Sequence, residues 1–565
     1  MPSDITLAAM ALLLSVAGAR ADAGALFLPP PEGKRPPTVE FAHSPEWFRR
    51  CPALYVPTAE SAGAGMLTFA GPTTTTLHER IDSFRRLPEL LDQAEALGTN
   101  TIYLVDFYQG WPGQPRRYFW LNKGDYMPRS DLGGAEALKQ GIDAIHARGG
   151  RVIVYVEAFI ISKRSAVGKA HGLEWSIMTP DGPPVQPYPG HWHMCSACPG
   201  WVEYLASVCR RLVAEYGVDG IHVDSYGYQR DWRCVSGEHG HESGKASVFN
   251  DGCAELLRRL REAVQGEKAD AVVIVEGPMR HALFTHIDGS QDWGIHTLSR
   301  RWLWDAAGRT NVFTTGWCLD DIHQILAMGH KLSLGGYWLE APGGPSCAEW
   351  ISAALPAELP APRQKADMLR RYFAECYFRA LHKWRNAGLL LGVTMPGVDD
   401  LTPRRWLRAD FFQSGHALGA LMEQVQSRAR DLDAALESRD NRPLPAPAEH
   451  LRRLLEARRR LSAVIDDGAS VQVLGTDAET AAAYLFSSPA GRAVTIVNVG
   501  DDRVDMRLAL PNGPGQFRDE LTDEILTPDE KTVPVTCAPH SLRMLREHRA
   551  YSGATPGAAT ARRSR

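Results

Sequence analysis

A chain of 565 residues can bury a large core and is expected to form more than one domain. With 44% apolar and 23% charged residues it has the composition of an ordinary soluble globular protein. Its formal net charge is -4, and its basic residues are scattered among acids, which excludes a nucleic-acid-binding surface.

Residues 1–23 hold an apolar run from Ile5 to Ala19, followed by Ala19-Arg20-Ala21. The pattern predicts a secretory h-region with a small-x-small cleavage site, too short for a membrane span, and hence a secreted or periplasmic protein. The n-region departs from the usual form, with Asp4 and no Lys or Arg. Residues 24–50, including the Pro-rich 29–37, read as a linker.

A first strand is predicted at 53–56. From residue 76 onward, strand-like runs alternate with helical ones, as in repeated β/α units. Helix 81–97 feeds strand 101–107, and helix 138–147 feeds strand 151–157. Helix 201–216 leads to the strand ending at Asp224, and helix 249–264 to the one ending at Glu276. A short strand around Asp288 and Asp292, strands at 311–316 and 331–339, and helix 320–328 between these two bring the count to roughly eight. Helices 365–387 and 450–461 would close a (β/α)8 TIM barrel over residues 51–464. After 465, short alternating runs separated by Gly, Asp, Asn and Pro predict a small C-terminal antiparallel β-sandwich to residue 548. Residues 549–565 read as a disordered tail.

Chemistry concentrates at two strand tips. Gly217-Val218-Asp219-Gly220-Ile221-His222-Val223-Asp224 is an apolar strand whose alternation puts His222 and Asp224 on one face. Val272-Val273-Ile274-Val275-Glu276 repeats the pattern with a glutamate. Active sites of α/β barrels sit at the C-terminal ends of their strands. Neighbouring strands lie about 4.8 Å apart, close to the ~5 Å between the two carboxyls of a retaining glycosidase. Asp224 is the expected nucleophile, kept ionised by His222, and Glu276 the expected acid/base, desolvated by the five apolar residues before it.

The whole pattern resembles the α-amylase-like glycoside hydrolases. Residues 81–107 resemble their second barrel unit, Arg151-Val-Ile-Val-Tyr-Val-Glu157 the third strand, residues 217–225 the fourth-strand nucleophile motif, and 272–277 the fifth strand with its acid/base. The Arg-rich helix of 451–468 resembles the end of the barrel. His222 stands where the family keeps Arg, and Asp320-Asp321 or His323 would have to replace its seventh-strand His-Asp pair. The resemblance therefore implies a divergent member acting on an oligo- or polysaccharide.

Asp106 and Glu157 at strand ends, Tyr226, and Trp111 and Trp192 as stacking platforms are further candidates for carbohydrate binding. Asp292 is another, and it or Asp288 could replace Glu276 as the acid. The ten Cys are dispersed and read mostly as small buried hydrophobes, without a disulfide framework. His191-Trp192-His193-Met194-Cys195-Ser196-Ala197-Cys198 has zinc-like ligand spacing, but no second Cys-x-x-Cys pair completes it. Cys234, His239 and His241 lie in the next long loop. The favoured reading is a substrate-facing loop presenting His193, with no metal and no cofactor. The alternatives are a barrel that binds carbohydrate without hydrolysing it or transglycosylates, and a zinc-dependent hydrolase. Oligomeric state is not legible.

Overall fold

The computed structural model describes residues 42–57, 77–109, 123–185, 190–227, 232–277, 283–292, 311–314, 319–335, 447–476 and, apart from a few single positions, 478–548. The expected signal segment, most of the linker, Trp111, helix 365–387 and the tail lie outside these residues.

The strands run in chain order as β1 (Ala53–Val56), β2 (Thr101–Leu104), β3 (Arg151–Glu157), β4 (Ile160–Ser162), β5 (His191–His193), β6 (Gly220–Asp224), β7 (Val272–Glu276), β8 (Gly289–Asp292), β9 (Asn311–Thr314) and β10 (Lys331–Gly335). All but β4 and β5 close into one barrel in the order β1-β2-β3-β6-β7-β8-β9-β10, every pair parallel. β4 and β5 form a separate antiparallel pair after β3. Eight barrel strands is the expected number.

Around the barrel lie α1 (Glu46–Arg50), α2 (Leu87–Ala96), α3 (Gly134–His146), α4 (Pro199–Tyr216), α5 (Val248–Glu267), α6 (Leu319–Ala327) and α7 (Pro447–Ile465). In α4, Trp201, Leu205, Cys209, Leu212 and Tyr216 recur at three- and four-residue steps and are buried. The Trp201 ring is fully covered, and its Nε1 donates to Ala158 O at 3.0 Å, fastening α4 to the chain just past β3. Gly217 ends the helix at φ +78, a conformation that favours glycine.

Buried carboxylates lock the N-terminal face of the barrel. Asp219, directly before β6, accepts from His146 Nε2 (2.8 Å), Arg151 Nη1 (2.8 Å), Lys268 Nζ (2.7 Å) and Val152 N (2.8 Å). Asp288, directly before β8, accepts from Arg261 Nη1 (2.5 Å) and Val273 N (2.9 Å). Asp288 thus sits at the end of the barrel opposite the strand tips, which removes it as a replacement acid.

The C-terminal unit consists of β11 (Ser470–Leu474), β12 (Ala481–Ser488), β13 (Gly491–Asn498), β14 (Val504–Ala509), β15 (Phe517–Asp519), β16 (Ile525–Leu526), β17 (Thr532–Cys537) and β18 (Ser541–Glu547). Six strands form one antiparallel sheet, β11-β12-β13-β18-β15-β16, and β14 pairs with β17. Alternation along β12 shows how the sheet is covered. Tyr484 and Phe486 join the core that includes α7, whereas Ala483 and Leu485 face a second core with Leu508, Val533 and Val535 of the β14–β17 pair. The expected sandwich is therefore a full sheet with a second layer of two strands.

Arg458 of α7, which is 1% exposed, ties the end of this helix to the barrel. Its guanidinium grips Asp466 with both Nη atoms (3.0 and 2.5 Å) and donates to Gly329 O (2.7 Å) and His330 O (3.3 Å), just ahead of β10. Asp466→Ala leaves this charge buried without its counter-ion, and is expected to cost about 3–5 kcal/mol in denaturant unfolding. Arg458→Lys should fail to restore this tie, because an ammonium cannot reproduce the fork. A loss below about 1 kcal/mol in Asp466→Ala would remove the pair as a structural element.

Candidate active site

Three carboxylates crown three consecutive barrel strands. Glu157 of β3 and Asp224 of β6 are direct register partners. Val223 pairs with Val275, so Asp224 and Glu276 end their strands at the same level. All three lie at the C-terminal face, where parallel strands present their tips.

Lys123, in the segment between β2 and α3, places its ammonium among them. Its Nζ is 2.8 Å from Glu157 Oε2 and 3.3 Å from Asp224 Oδ2. The Tyr155 hydroxyl, one residue pair down β3, also donates to Asp224 Oδ2. Burial, and then the charges of Asp224 and Glu157, push Tyr155 well above the usual phenol range, so it remains a donor. Asp224 is 16% exposed, whereas Glu157 is 1% exposed. Of the two, Asp224 is the carboxylate a substrate can meet.

Burial would raise the Asp224 carboxyl, but the Lys123 charge and hydrogen bonds with Glu276 and Glu157 outweigh it and hold the group below the ordinary range. Glu157 goes the other way. Its burial dominates over the pull of Lys123, the charge of Asp224 adds to it, and the carboxyl is pushed from 4.5 up to about 7. Phe159 N donates to its other oxygen at 2.7 Å. A hydrogen bond between two carboxyls needs one proton, and between Asp224 and Glu157 it resides on Glu157.

The turn after β6 fixes the third carboxylate. Ser225 takes φ +70, a left-handed conformation rare for a residue with a side chain, and this aims its N–H at Glu276 Oε2 at 3.0 Å. Two residues on, Gly227 N donates to Glu276 O at 2.9 Å. A Cβ on Gly227 would lie 2.1 Å from that oxygen, so only glycine fits this approach.

Below the carboxylates, the barrel interior holds a polar aromatic layer. Tyr103 OH and His222 Nδ1 are 2.8 Å apart, and the His222 ring stacks on Tyr155 at 6.1 Å between centroids. Burial lowers His222 from 6.5 to about 4, so it is neutral. The expectation that His222 keeps Asp224 ionised holds only in small part. Lys123 contributes most among the groups that lower Asp224 and His222 least, and the bonded partner of His222 is Tyr103.

Several expected sugar contacts are closed off instead. Asp106 is fully buried, bonded by Arg129 Nη1 (3.1 Å) and Leu77 N (2.7 Å), with burial raising it from 3.8 to about 6. Tyr226 is also fully buried and packs edge-on to Phe249. His193 is buried between Phe159 and Trp232, with Nδ1 2.9 Å from Pro184 O, so it does not face substrate. Trp192 packs on Lys163 and donates to Gly168 O at 2.9 Å. His323 is buried on α6 beside His450 of α7, which removes it as a stand-in at a strand tip. Asp292 does end β8 at the active face; its side chain is outside the described residues.

The raised Glu157 has a measurable consequence. Between pH 4.5 and about 7 the folded chain holds a proton that the unfolded chain has lost, so this group stabilises below pH 4.5 and loses its contribution as pH rises through about 7. Relative to Glu157→Gln, the wild-type thermal midpoint is expected to fall across that window. Parallel curves for the two proteins would contradict the raised carboxyl.

A family model described as "Domain of unknown function (DUF6259)" matches residues 39–283, the segment carrying β1 to β7 and all three carboxylates. No curated protein matches the sequence. Among solved structures, trehalose-6-phosphate hydrolase (TreA) of Bacillus licheniformis is similar at TM-score 0.52 and 11% identity, over 89% of this chain and 100% of that one. AmyP in complex with maltose is similar at TM-score 0.50 and 12% identity, over 88% of this chain and 96% of that one. At such identities the likeness concerns the fold. It bears out the expected architecture, a (β/α)8 barrel with a C-terminal antiparallel domain.

Proposed function

We propose that this protein is a retaining glycosidase of oligo- or polysaccharides, with Asp224 as nucleophile and Glu276 as general acid/base. The observation that carries the reading is the pair at the tips of β6 and β7. One partly exposed carboxylate is held ionised by Lys123, at the same level as a second carboxyl that is itself oriented by Ser225 N–H. Adjacent strand tips, about 4.8 Å apart, suit the retaining spacing better than the ~6.5–9.5 Å of inverting pairs.

In the first step an Asp224 oxygen forms a bond to the anomeric carbon while the bond to the leaving oxygen breaks, and that oxygen takes the Glu276 proton. In the second, Glu276 removes a proton from water, the water oxygen bonds to the anomeric carbon, and Asp224 departs with its original charge. Lys123 and Tyr155 keep Asp224 ionised and aligned for attack and stabilise its charge as it departs in the second step; Glu157 holds Lys123 in place. The fold neighbours named for trehalose-6-phosphate hydrolase and for a maltose complex agree with a sugar at this face.

The test is a panel of glycans incubated with the full chain, with the anomeric configuration of the first-formed product followed by NMR. Retention supports the pair; inversion would overturn the nucleophile assignment.

A further inference from the structure

The long loop between β6 and α5 carries Cys234-Val-Ser-Gly-Glu-His239-Gly-His241, a stretch without helix or strand and almost without apolar residues. The fold brings it against Cys195, in the turn between β5 and α4. We propose that Cys195, Cys234, His239 and His241 bind one zinc ion, which staples these two loops together at the active face of the barrel.

The first argument is distance. One ligand atom from each of the four residues lies within 4.8 Å of all the others. A tetrahedron with Zn–S of about 2.3 Å and Zn–N of about 2.05 Å has S···N edges of about 3.6 Å. Cys195 Sγ and His241 Nε2 are 3.5 Å apart, and Cys234 Sγ and His239 Nδ1 are 3.4 Å apart. Two of the ligand pairs thus already have the separation a zinc ion imposes, and the rest lie within 4.8 Å.

The second argument is the far side of each imidazole. His239 Nε2 faces Glu174 O at 2.8 Å, and His241 Nδ1 faces Glu242 O at 3.1 Å. A carbonyl can only accept, so each of these nitrogens carries the proton. The lone pairs of His239 Nδ1 and His241 Nε2 are left pointing into the cluster. Such backing of a ligand histidine by a carbonyl is the usual outer shell of a metal site. Gly240, at φ +73, turns the backbone so that both flanking imidazoles converge. Met178 N, 3.4 Å from Cys234 Sγ, supplies a donor to a thiolate.

Charge and softness select the ion. Two cysteines giving up their protons balance a divalent cation, and two thiolates with two imidazoles suit zinc. The site is structural: four protein ligands leave no open position for substrate, and Cys195, Cys234 and His239 are at most 3% exposed. Of the 191–198 run, Cys195 belongs to the four-residue cluster and Cys198 lies beside it in contact with His239, whereas His191 and His193 belong to β5; the set is one that only the fold assembles. The metal-free expectation is revised accordingly, independently of the glycosidase reading.

Elemental analysis of the purified full-length protein tests the proposal without reference to activity. About one zinc per chain is expected, and cobalt substitution should give the intense visible bands of a tetrahedral, thiolate-bound ion. His241→Ala, at the most exposed ligand, and Cys234→Ser should each lose the bound metal at least tenfold under dialysis. Wild-type protein without zinc and without a cobalt spectrum would overturn the proposal, and so would an intact mass showing Cys195 joined to Cys234 as a disulfide.

Discussion

Asp224→Asn is expected to lower glycoside turnover on the order of 10⁴-fold, which is about 5 kcal/mol of transition-state stabilisation. The amide keeps the shape but has no charge to form the glycosyl bond. Lys123 still pairs with Glu157 in this variant, so the fold is expected to survive. Glu276→Gln should cost about 10²–10⁴-fold with poor leaving groups, and far less with activated ones that need no proton. Azide separates the two roles by stereochemistry. With Asp224→Gly it replaces the missing nucleophile from the opposite face and gives an inverted glycosyl azide. With Glu276→Ala it attacks the glycosyl-enzyme and gives a retained one. Undiminished turnover in Asp224→Asn would remove this residue as nucleophile.

Lys123→Met is expected to damage both stability and pH profile. The ammonium, 10% exposed, is the cation placed between Glu157 and Asp224. Removing one partner of a buried ion cluster leaves uncompensated charge and costs about 3–5 kcal/mol, unless the carboxyls take up protons. They can do so, and that is the diagnostic effect. Burial works to raise Asp224, and without the Lys123 charge its carboxyl should rise from its lowered position. The acid limb of kcat/KM then shifts to higher pH, because the nucleophile must first lose a proton. Lys123→Arg, which retains the charge, should leave that limb near its wild-type position. An acid limb unchanged in Lys123→Met would mean that this ammonium does not control the nucleophile.

How much of this was legible in the sequence follows from what each residue depends on. Ala53–Val56 and Arg151–Glu157 were read at their observed bounds because buried parallel strands are continuous apolar runs bounded by punctuation. Asp224 and Glu276 were legible because a carboxylate that ends such a run stands out. Lys123 was not: its partners are 34 and 101 residues away, and nothing local marks it. Asp288 and Asp292 looked equivalent within one short segment, but β8 begins after the first and ends on the second, so they occupy opposite faces of the barrel. His193 looked exposed because β4 and β5, which bury it, pair across a long connection without a hairpin signal. Cys195, Cys234, His239 and His241 were each noticed, but nothing in the sequence shows that the two loops carrying them meet.

The spacing of Glu157, Asp224 and Glu276 comes from the hydrogen-bonded register of β3, β6 and β7. Two connections add to it: the turn from Ser225 to Gly227, which bonds Glu276, and the segment that brings Lys123 between Glu157 and Asp224. Under the proposed function, the other loops at this face are separable from that arrangement. They can be lengthened, exchanged or redesigned to admit a different glycan while the turn at 225–227 and Lys123 keep the carboxylates in place. The barrel serves as an interchangeable chassis, and engineering for new substrates should begin in those loops and leave the three strand tips untouched.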